Sequence, residues 1–431
     1  MRIYMADFSN LKRWLCIGLL LRLLAMPFTL HGDALFVNGT PHFLAHGDWN
    51  AYATAHDGYG RFYYPPLSLV FTAAMQWATQ TVFSSHEKFL HLVAQGETKS
   101  LLDSESLYLS LFLLKLPYLF VEVLLFSMVW RLLKKQEDRR GFAILWGFNP
   151  LVIYGVYMIG QIDLLPTLCV VLAFYFCLQE GKGIWACALL GFGCLFKIFP
   201  ILFLPLVVCL CARSWRQVIV LFLFGSAPVV AGFGFFYGLS GNSALQVFSI
   251  IPNAAEVSMR WDVWLVRAAQ GSVYGAVCYH ILSRKKFPLS RPLVVNYFLL
   301  VYLALYWSAR LPQTYYFLWG TPFAILFIME RPDWKKMCLG LLGIIFAAGL
   351  GSRESFIGLF APVNPEFFLG FPSLRDAVGF FFNLSLYDTL LRALFNGFTG
   401  YMAFDILKMM FIENSADRAL KSQNASTTHL G

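Results

Sequence analysis

LSLFLLKLPYLFVEVLLFSMVWRLLKKQEDRR (109–140) sets the fold class. Residues 109–130 carry only Lys115 and Glu122 as charges and, at 1.5 Å rise per residue, are long enough for a hydrocarbon core of about 30 Å. The block that follows holds Arg131, Lys134, Lys135, Arg139 and Arg140, the mark of a cytoplasmic loop. The rest of the chain repeats this character. Of 431 residues, 58% are hydrophobic and 13% charged, against roughly a quarter charged in soluble domains. An all-α polytopic integral membrane protein follows, among membrane lipids. The net charge of +9 is the usual surplus of Lys and Arg in cytoplasmic loops, so no nucleic acid partner is indicated. All nine cysteines lie in apolar runs and none has metal-ligand spacing, so neither a disulfide framework nor a metal site is implied. No cofactor is firmly implied; a divalent metal is left open without being indicated.

The basic loops fix the topology. Residues 1–13, with Arg2, Lys12 and Arg13, are expected in the cytoplasm, and a first helix runs from about 14 to 30 as a retained signal anchor with Arg22 near its middle. If 65–83 crossed fully, the basic block 131–140 would lie outside, so that run is placed on or partly in the outer leaflet. Residues 31–108 then form one long external segment. Residues 109–350 form a helical bundle, 351–388 a second external segment, 390–411 a last helix and 412–431 a polar cytoplasmic tail, expected to be unstructured after Asn414. About twelve crossings in a single domain result.

Polar chemistry concentrates in LAHGDWNAYATAHDGYGRFYYPPLSL (44–69), which supplies Asp48, His56, Asp57, Arg61 and Tyr64. Further polar groups fall at the outer ends of later helices: Gln161 and Asp163 in GQID, Lys197 in FKIFP, and Arg310, Gln313, Tyr315 and Tyr316 in SARLPQTYYFLWGTPF (308–323). Arg260 belongs to the same side. Each has a plain alternative: an interfacial anchor for the basic residues, a helix cap for Asp163, an aromatic belt for the tyrosines. Lys115 and Glu122, seven residues apart on one helix face, are costly inside a membrane and read either as site residues or as structurally paired groups.

The order of these pieces resembles the GT-C superfamily of polyprenyl- or dolichyl-phosphate-sugar-dependent glycosyltransferases. It looks most like the bacterial polyprenol-phosphate-mannose branch and the GPI mannosyltransferases. The resemblance rests on HGDWNAY (46–52), the Tyr-Pro-Pro-Leu at 64–67 that opens a jaw-like helix, WGFNPLVIYGVYMIGQIDLLP (146–166), LLGFGCLFKIFPILFLPL (189–206) and QTYYFLWGTPF (313–323). It covers roughly residues 14–330. The family often carries paired acids in its first loop, whereas Asp48 stands alone, with Asp33 before it and Asp57 after. The resemblance implies transfer of a hexose, mannose favoured, to a glycan, lipid or protein hydroxyl on the external or lumenal face of a bacterial inner membrane or the endoplasmic reticulum. Asp48 is then the base by position.

One carboxylate suffices for such chemistry. A glycosyl phosphate leaves without a proton, so a base for the acceptor and cations for the phosphate are needed, whereas a glycosidase needs two carboxylates. Arg310 and Lys197 lead as phosphate contacts, with Arg260 and Arg61 behind them. Tyr64, Asp57, His56, Gln161, Asp163, Gln313 and Tyr315 are placed around the sugar or acceptor. In-line attack predicts inversion. The rival readings are a transporter or flippase, which predicts inverted repeats that are not seen, and a glycan ligase, which would use Arg353 and Arg375 of the late external segment.

Overall fold

The computed structural model describes residues 2–58, 62–179, 181–250, 261–283, 290–307, 313–349, 355 and 357–427, and these are predominantly helical with no strand among them. The first half comprises α1 (Arg2–Phe28), α2 (Gly32–Ala45), α3 (Ala51–Gly58), α4 (Pro66–Gln80), α5 (Ser84–Gln95), α6 (Thr98–Leu102), α7 (Leu107–Leu132), α8 (Gln136–Gly147), α9 (Pro150–Met158) and α10 (Leu164–Cys177). The second half comprises α11 (Gly183–Cys194), α12 (Leu204–Cys211), α13 (Trp215–Ser240), α14 (Trp261–Ser283), α15 (Arg291–Tyr306), α16 (Thr321–Glu330), α17 (Lys335–Gly349), α18 (Pro365–Gly370), α19 (Leu374–Phe381) and α20 (Leu384–Thr427).

Leu107–Leu132 and Trp215–Phe248 are each long and apolar enough to cross a membrane. Two bent pairs, Leu11–Phe28 with Gly32–Ala45 at 73° and Gln136–Gly147 with Pro150–Met158 at 40°, bring the number to four if each is one span. Leu164–Cys177, Gly183–Cys194, Phe199–Cys211, Arg291–Tyr306 and Thr321–Glu330 are apolar but shorter. Apolar runs in the sequence extend through caps and 3-10 turns that the helices do not include, which is why about twelve runs of spanning length become fewer helices of that length. The polar tail, expected to be unstructured after Asn414, instead continues α20 to Thr427. Its Ala, Leu, Arg, Lys and Gln content favours helix.

α7 shows how the bundle sorts its residues. Phe120, Val123 and Leu124 point outward, while Lys115, Tyr118, Glu122, Leu125 and Val129 are buried. Lys115 donates from Nζ to Met26 O (3.0 Å), Thr29 O (2.5 Å) and Thr29 Oγ1 (2.9 Å). It thereby satisfies carbonyls left open where α1 ends and the chain bends into α2. Glu122 takes Arg22 of α1 in a forked pair and Trp146 Nε1 of α8 at 2.7 Å, and also accepts from Tyr157 of α9. Both intramembrane charges thus tie helices together. α8 and α9 are hinged at Asn149, whose Oδ1 caps Leu151 N (2.9 Å), with Pro150 at the first helical position.

The segment between α1 and α7 is a platform of short helices. α4 lies against α2, with Gln76 Nε2 donating to Asn38 O at 2.8 Å. His86 of α5 is buried, and burial pushes its pKa down to about 4. Because the unfolded chain binds a proton near pH 6.5 and the folded platform does not, the stabilisation is complete above pH 6.5 and declines as pH falls from there toward 4. About 2 kcal/mol is expected to be lost between pH 8 and pH 5. His86→Gln should flatten that slope in thermal unfolding measured across this range; an unchanged slope would assign the pH dependence to other groups.

Candidate active site

Four segments meet at one corner of the bundle: the start of α2, the turn between α9 and α10, the break between α11 and α12, and the 3-10 turn Thr314–Leu318 before α16. Gly160 makes the first approach possible. It adopts φ +84° and faces α2 so closely that an added Cβ would stand 3.0 Å from Ala34 Cβ. Gln161, fully buried on that turn, donates from Nε2 to Asp33 Oδ2 (2.7 Å) and accepts the Tyr64 hydroxyl on Oε1 (3.0 Å). Tyr64 is fixed in turn by Tyr52 of α3, whose hydroxyl donates to Tyr64 O at 2.7 Å. Burial, and then the carboxylates of Asp163 and Asp33, raise the pKa of the Tyr64 hydroxyl, so it stays a neutral donor.

Asp163 precedes α10 and is fully buried. Its Oδ1 accepts from Lys197 Nζ at 2.6 Å and from Trp319 Nε1 at 2.9 Å, while Oδ2 has no protein partner among the described residues. The Lys197 ammonium stands over four rings: Tyr316 at 4.7 Å, Trp319 at 5.1 Å, Tyr315 at 5.5 Å and Tyr64 at 5.7 Å to the centroids. Trp319 is braced from behind by Phe199, stacked at 4.1 Å and 7°. A carboxylate and four π faces together surround this side chain in a half-buried place.

Beside this box opens a cavity of about 380 Å³, lined by His31, Asp33, Gln313, Tyr315, Gly349 and Arg375 among others. Asp33 is half-buried, with its backbone N–H donating to His31 Nδ1 at 3.0 Å. Arg375 is exposed and forks onto Asp388 at 2.7 and 3.3 Å.

Asp48 stands elsewhere. It follows α2, whereas Asp33 begins it, so the two carboxylates are separated by roughly 15–20 Å along the helix axis. Asp48 Oδ1 accepts from Asn50 N (2.8 Å) and Oδ2 from Thr54 Oγ1 (2.6 Å), bonds that organise the entry into α3. His56 and Asp57 lie at the end of α3. Arg61, Arg260 and Arg310 lie outside the described residues. Gln161, Asp163, Lys197, Tyr64 and Tyr315 come together, and Gln313 joins them on the cavity wall. Trp319 and Asp33 complete the cluster without having been singled out by sequence. The signal for Asp33 was its place as the first carboxylate after the first apolar run. Among the described residues, no three His, Cys, Asp or Glu side chains are placed to hold a metal ion.

The model of glycosyltransferase family 87 matches residues 62–309. The chain belongs to that family. Family 87 is a GT-C-like family of membrane glycosyltransferases, so a sugar donor and an acceptor are its substrates. The match contains Tyr64, Gln161, Asp163 and Lys197; Asp33, Asp48 and the Gln313–Trp319 turn lie beyond its ends. No curated protein matches the chain. No solved structure matches it either.

Proposed function

We propose that this family 87 glycosyltransferase moves a hexose, mannose favoured, from a polyprenyl-phosphate donor to an acceptor hydroxyl, with inversion and with Asp33 rather than Asp48 as base. The observation that carries the reading is a division of labour at one corner. A carboxylate faces an open cavity, and a lysine paired with Asp163 stands nearby, with Gln161 and Tyr64 between them. In this reaction the acceptor O–H gives its proton to Asp33 as its oxygen attacks the anomeric carbon. The bond from that carbon to the phosphate oxygen breaks, and the phosphate leaves with the electron pair and no proton. Lys197 meets the charge that develops there. Tyr315, on the cavity wall, supplies flat apolar surface on which a sugar ring packs.

Twelve crossings and a site on the external or lumenal face belong to the same reading. Basic residues at the ends of α7 and α16, Arg131 and Arg331, support placing those ends in the cytoplasm and the corner opposite them.

The test is transfer from a panel of radiolabelled polyprenyl-phosphate monosaccharides by the membrane-embedded enzyme. One donor should be consumed, and Lys197→Met should lower turnover by about 10²-fold. Consumption of a nucleotide sugar in place of every lipid donor, or uptake of substrate without transfer, would sink the proposal.

A further inference from the structure

The two ends of α4 are held in different ways. At its start Leu67 N donates to Leu195 O at 2.8 Å and Ser68 Oγ to Phe196 O at 2.6 Å, beside the break that carries Lys197. Farther along, the helix packs against α2, α5 and α7 around a small cavity of about 10 Å³. Three polar atoms of residues lining this cavity are buried and have no protein partner among the described residues: Thr72 Oγ1, Gln76 Oε1 and His86 Nδ1. The residues that carry them are only 4%, 2% and 1% exposed, so bulk solvent does not satisfy them. The orientation of the Gln76 amide is set by its other bonds. Its Nε2 donates to Asn38 O at 2.8 Å and Asn38 Oδ1 at 3.2 Å, which leaves Oε1 as the free acceptor.

α7 adds a fourth group. Pro117 lies inside that helix and has no N–H, so the Leu113 carbonyl lacks the bond that the residue four positions ahead gives in a regular helix. Leu113 and Pro117 line the same cavity. Two of the four groups, Gln76 Oε1 and Leu113 O, only accept, whereas the Thr72 hydroxyl and a neutral imidazole protonated at Nδ1 donate. A molecule that donates twice and accepts twice matches this set. The cavity has the size of one such molecule, since a single water needs about 10–15 Å³. An ion matches less well: no charged side chain lines the cavity among the described residues, so its lost hydration would be met by no counter-charge.

We propose that this cavity is a specific site for one buried water, which donates to Gln76 Oε1 and Leu113 O, accepts from Thr72 Oγ1 and His86 Nδ1, and so ties α4 to α5 and to the proline break of α7. Ordered water satisfies interrupted helices inside membranes in the same way. Through the bond from Gln76 to Asn38 the water joins α2 to the same polar junction. The site is therefore the second anchor of α4, a helix whose first anchor adjoins Lys197 and whose preceding residues include Tyr64. The inference is independent of which carboxylate serves as base.

The experiment uses magnetic resonance of the full-length protein, with isotope-labelled histidine, in phosphatidylcholine nanodiscs at pH 7. The His86 signals, assigned by their loss in His86→Gln, should show the tautomer protonated at Nδ1. That N–H should give a cross-peak to water with the sign of a molecule held for longer than the nanosecond exchange of surface solvent. Thr72→Leu fills the cavity with carbon and should erase the cross-peak. Thr72→Val, nearly isosteric, removes one partner without filling the space. In both variants amide hydrogen exchange in α4 and α5 should rise about five- to tenfold, the effect of one lost hydrogen bond on local opening, while exchange in α15 stays as in wild type. A wild-type His86 protonated at Nε2 with no water cross-peak would show a dry cavity. Signals that shift when sodium is replaced by potassium would show an ion, and unchanged exchange in both Thr72 variants would show that nothing is tied there; each of these results overturns the proposal.

Discussion

Asp33→Asn is expected to lower turnover by about 10²–10⁴-fold, the range that a positioned general base contributes, while the donor still binds. The substitution is nearly isosteric. An asparagine oxygen can take the hydrogen bond that Gln161 Nε2 now gives to Oδ2 at 2.7 Å, and the bond from the residue's N–H to His31 Nδ1 does not involve the side chain. The platform should therefore fold, and what is lost is the ability to accept a proton. Asp48→Asn is the matched control. Its oxygen can still cap Asn50 N, and its amide can still meet Thr54 Oγ1, so a stability change of about 0.5–2 kcal/mol and little change in kcat are expected. Single-turnover transfer with saturating donor separates the two roles. The opposite ranking, with Asp48→Asn inactive and Asp33→Asn near wild type, would return the base to Asp48.

Asp33 and Asp48 also mark the limit of what the sequence disclosed. Helix alternation and basic loops placed Gln161, Asp163, Lys197 and Tyr315 on one side of the bundle, and those residues do meet. Sidedness is a one-dimensional property of a membrane chain, so charge and hydropathy suffice to read it. Which first-loop carboxylate joins them is not. Asp33 and Asp48 lie on the same segment between α1 and α7, and the choice between them depends on a 73° bend after α1 and on the length of α2. That bend is held by Lys115, a residue from a helix far along the chain. The motif around Asp48 supplies Tyr52, which fixes Tyr64, and the two bonds by which Asp48 organises the entry into α3. Lys115 and Glu122 were recognisable as costly from sequence alone, while their partners, about a hundred residues away, became evident only once the helices were packed.

The second large effect concerns stability. Arg22→Met should destabilise the bundle by about 3–5 kcal/mol, because it leaves Glu122 buried without its counter-charge. The pair is almost fully enclosed, at 3% and 4% exposure, so little water reaches either group. Its two partners are not equivalent. Without Glu122, the guanidinium of Arg22 keeps acceptors in Gly18 O (2.8 Å), Gly147 O (2.7 Å) and Trp146 O (3.2 Å). Without Arg22, the carboxylate keeps only the Trp146 and Tyr157 donors. Glu122→Leu is therefore expected to cost less than Arg22→Met, and the double variant less than the sum of the two, since the interaction can be lost only once. Thermal unfolding in detergent across the three variants gives the coupling. The same pair fixes α1 against α7, α8 and α9, so a loosened pair frees both the start of α2, where Asp33 sits, and the turn that carries Gln161. Activity in these variants should fall in the order of their stability and recover in the folded fraction at low temperature. Loss of activity with unchanged unfolding temperature would instead make Arg22 and Glu122 part of the chemistry, as charged groups inside membranes often are.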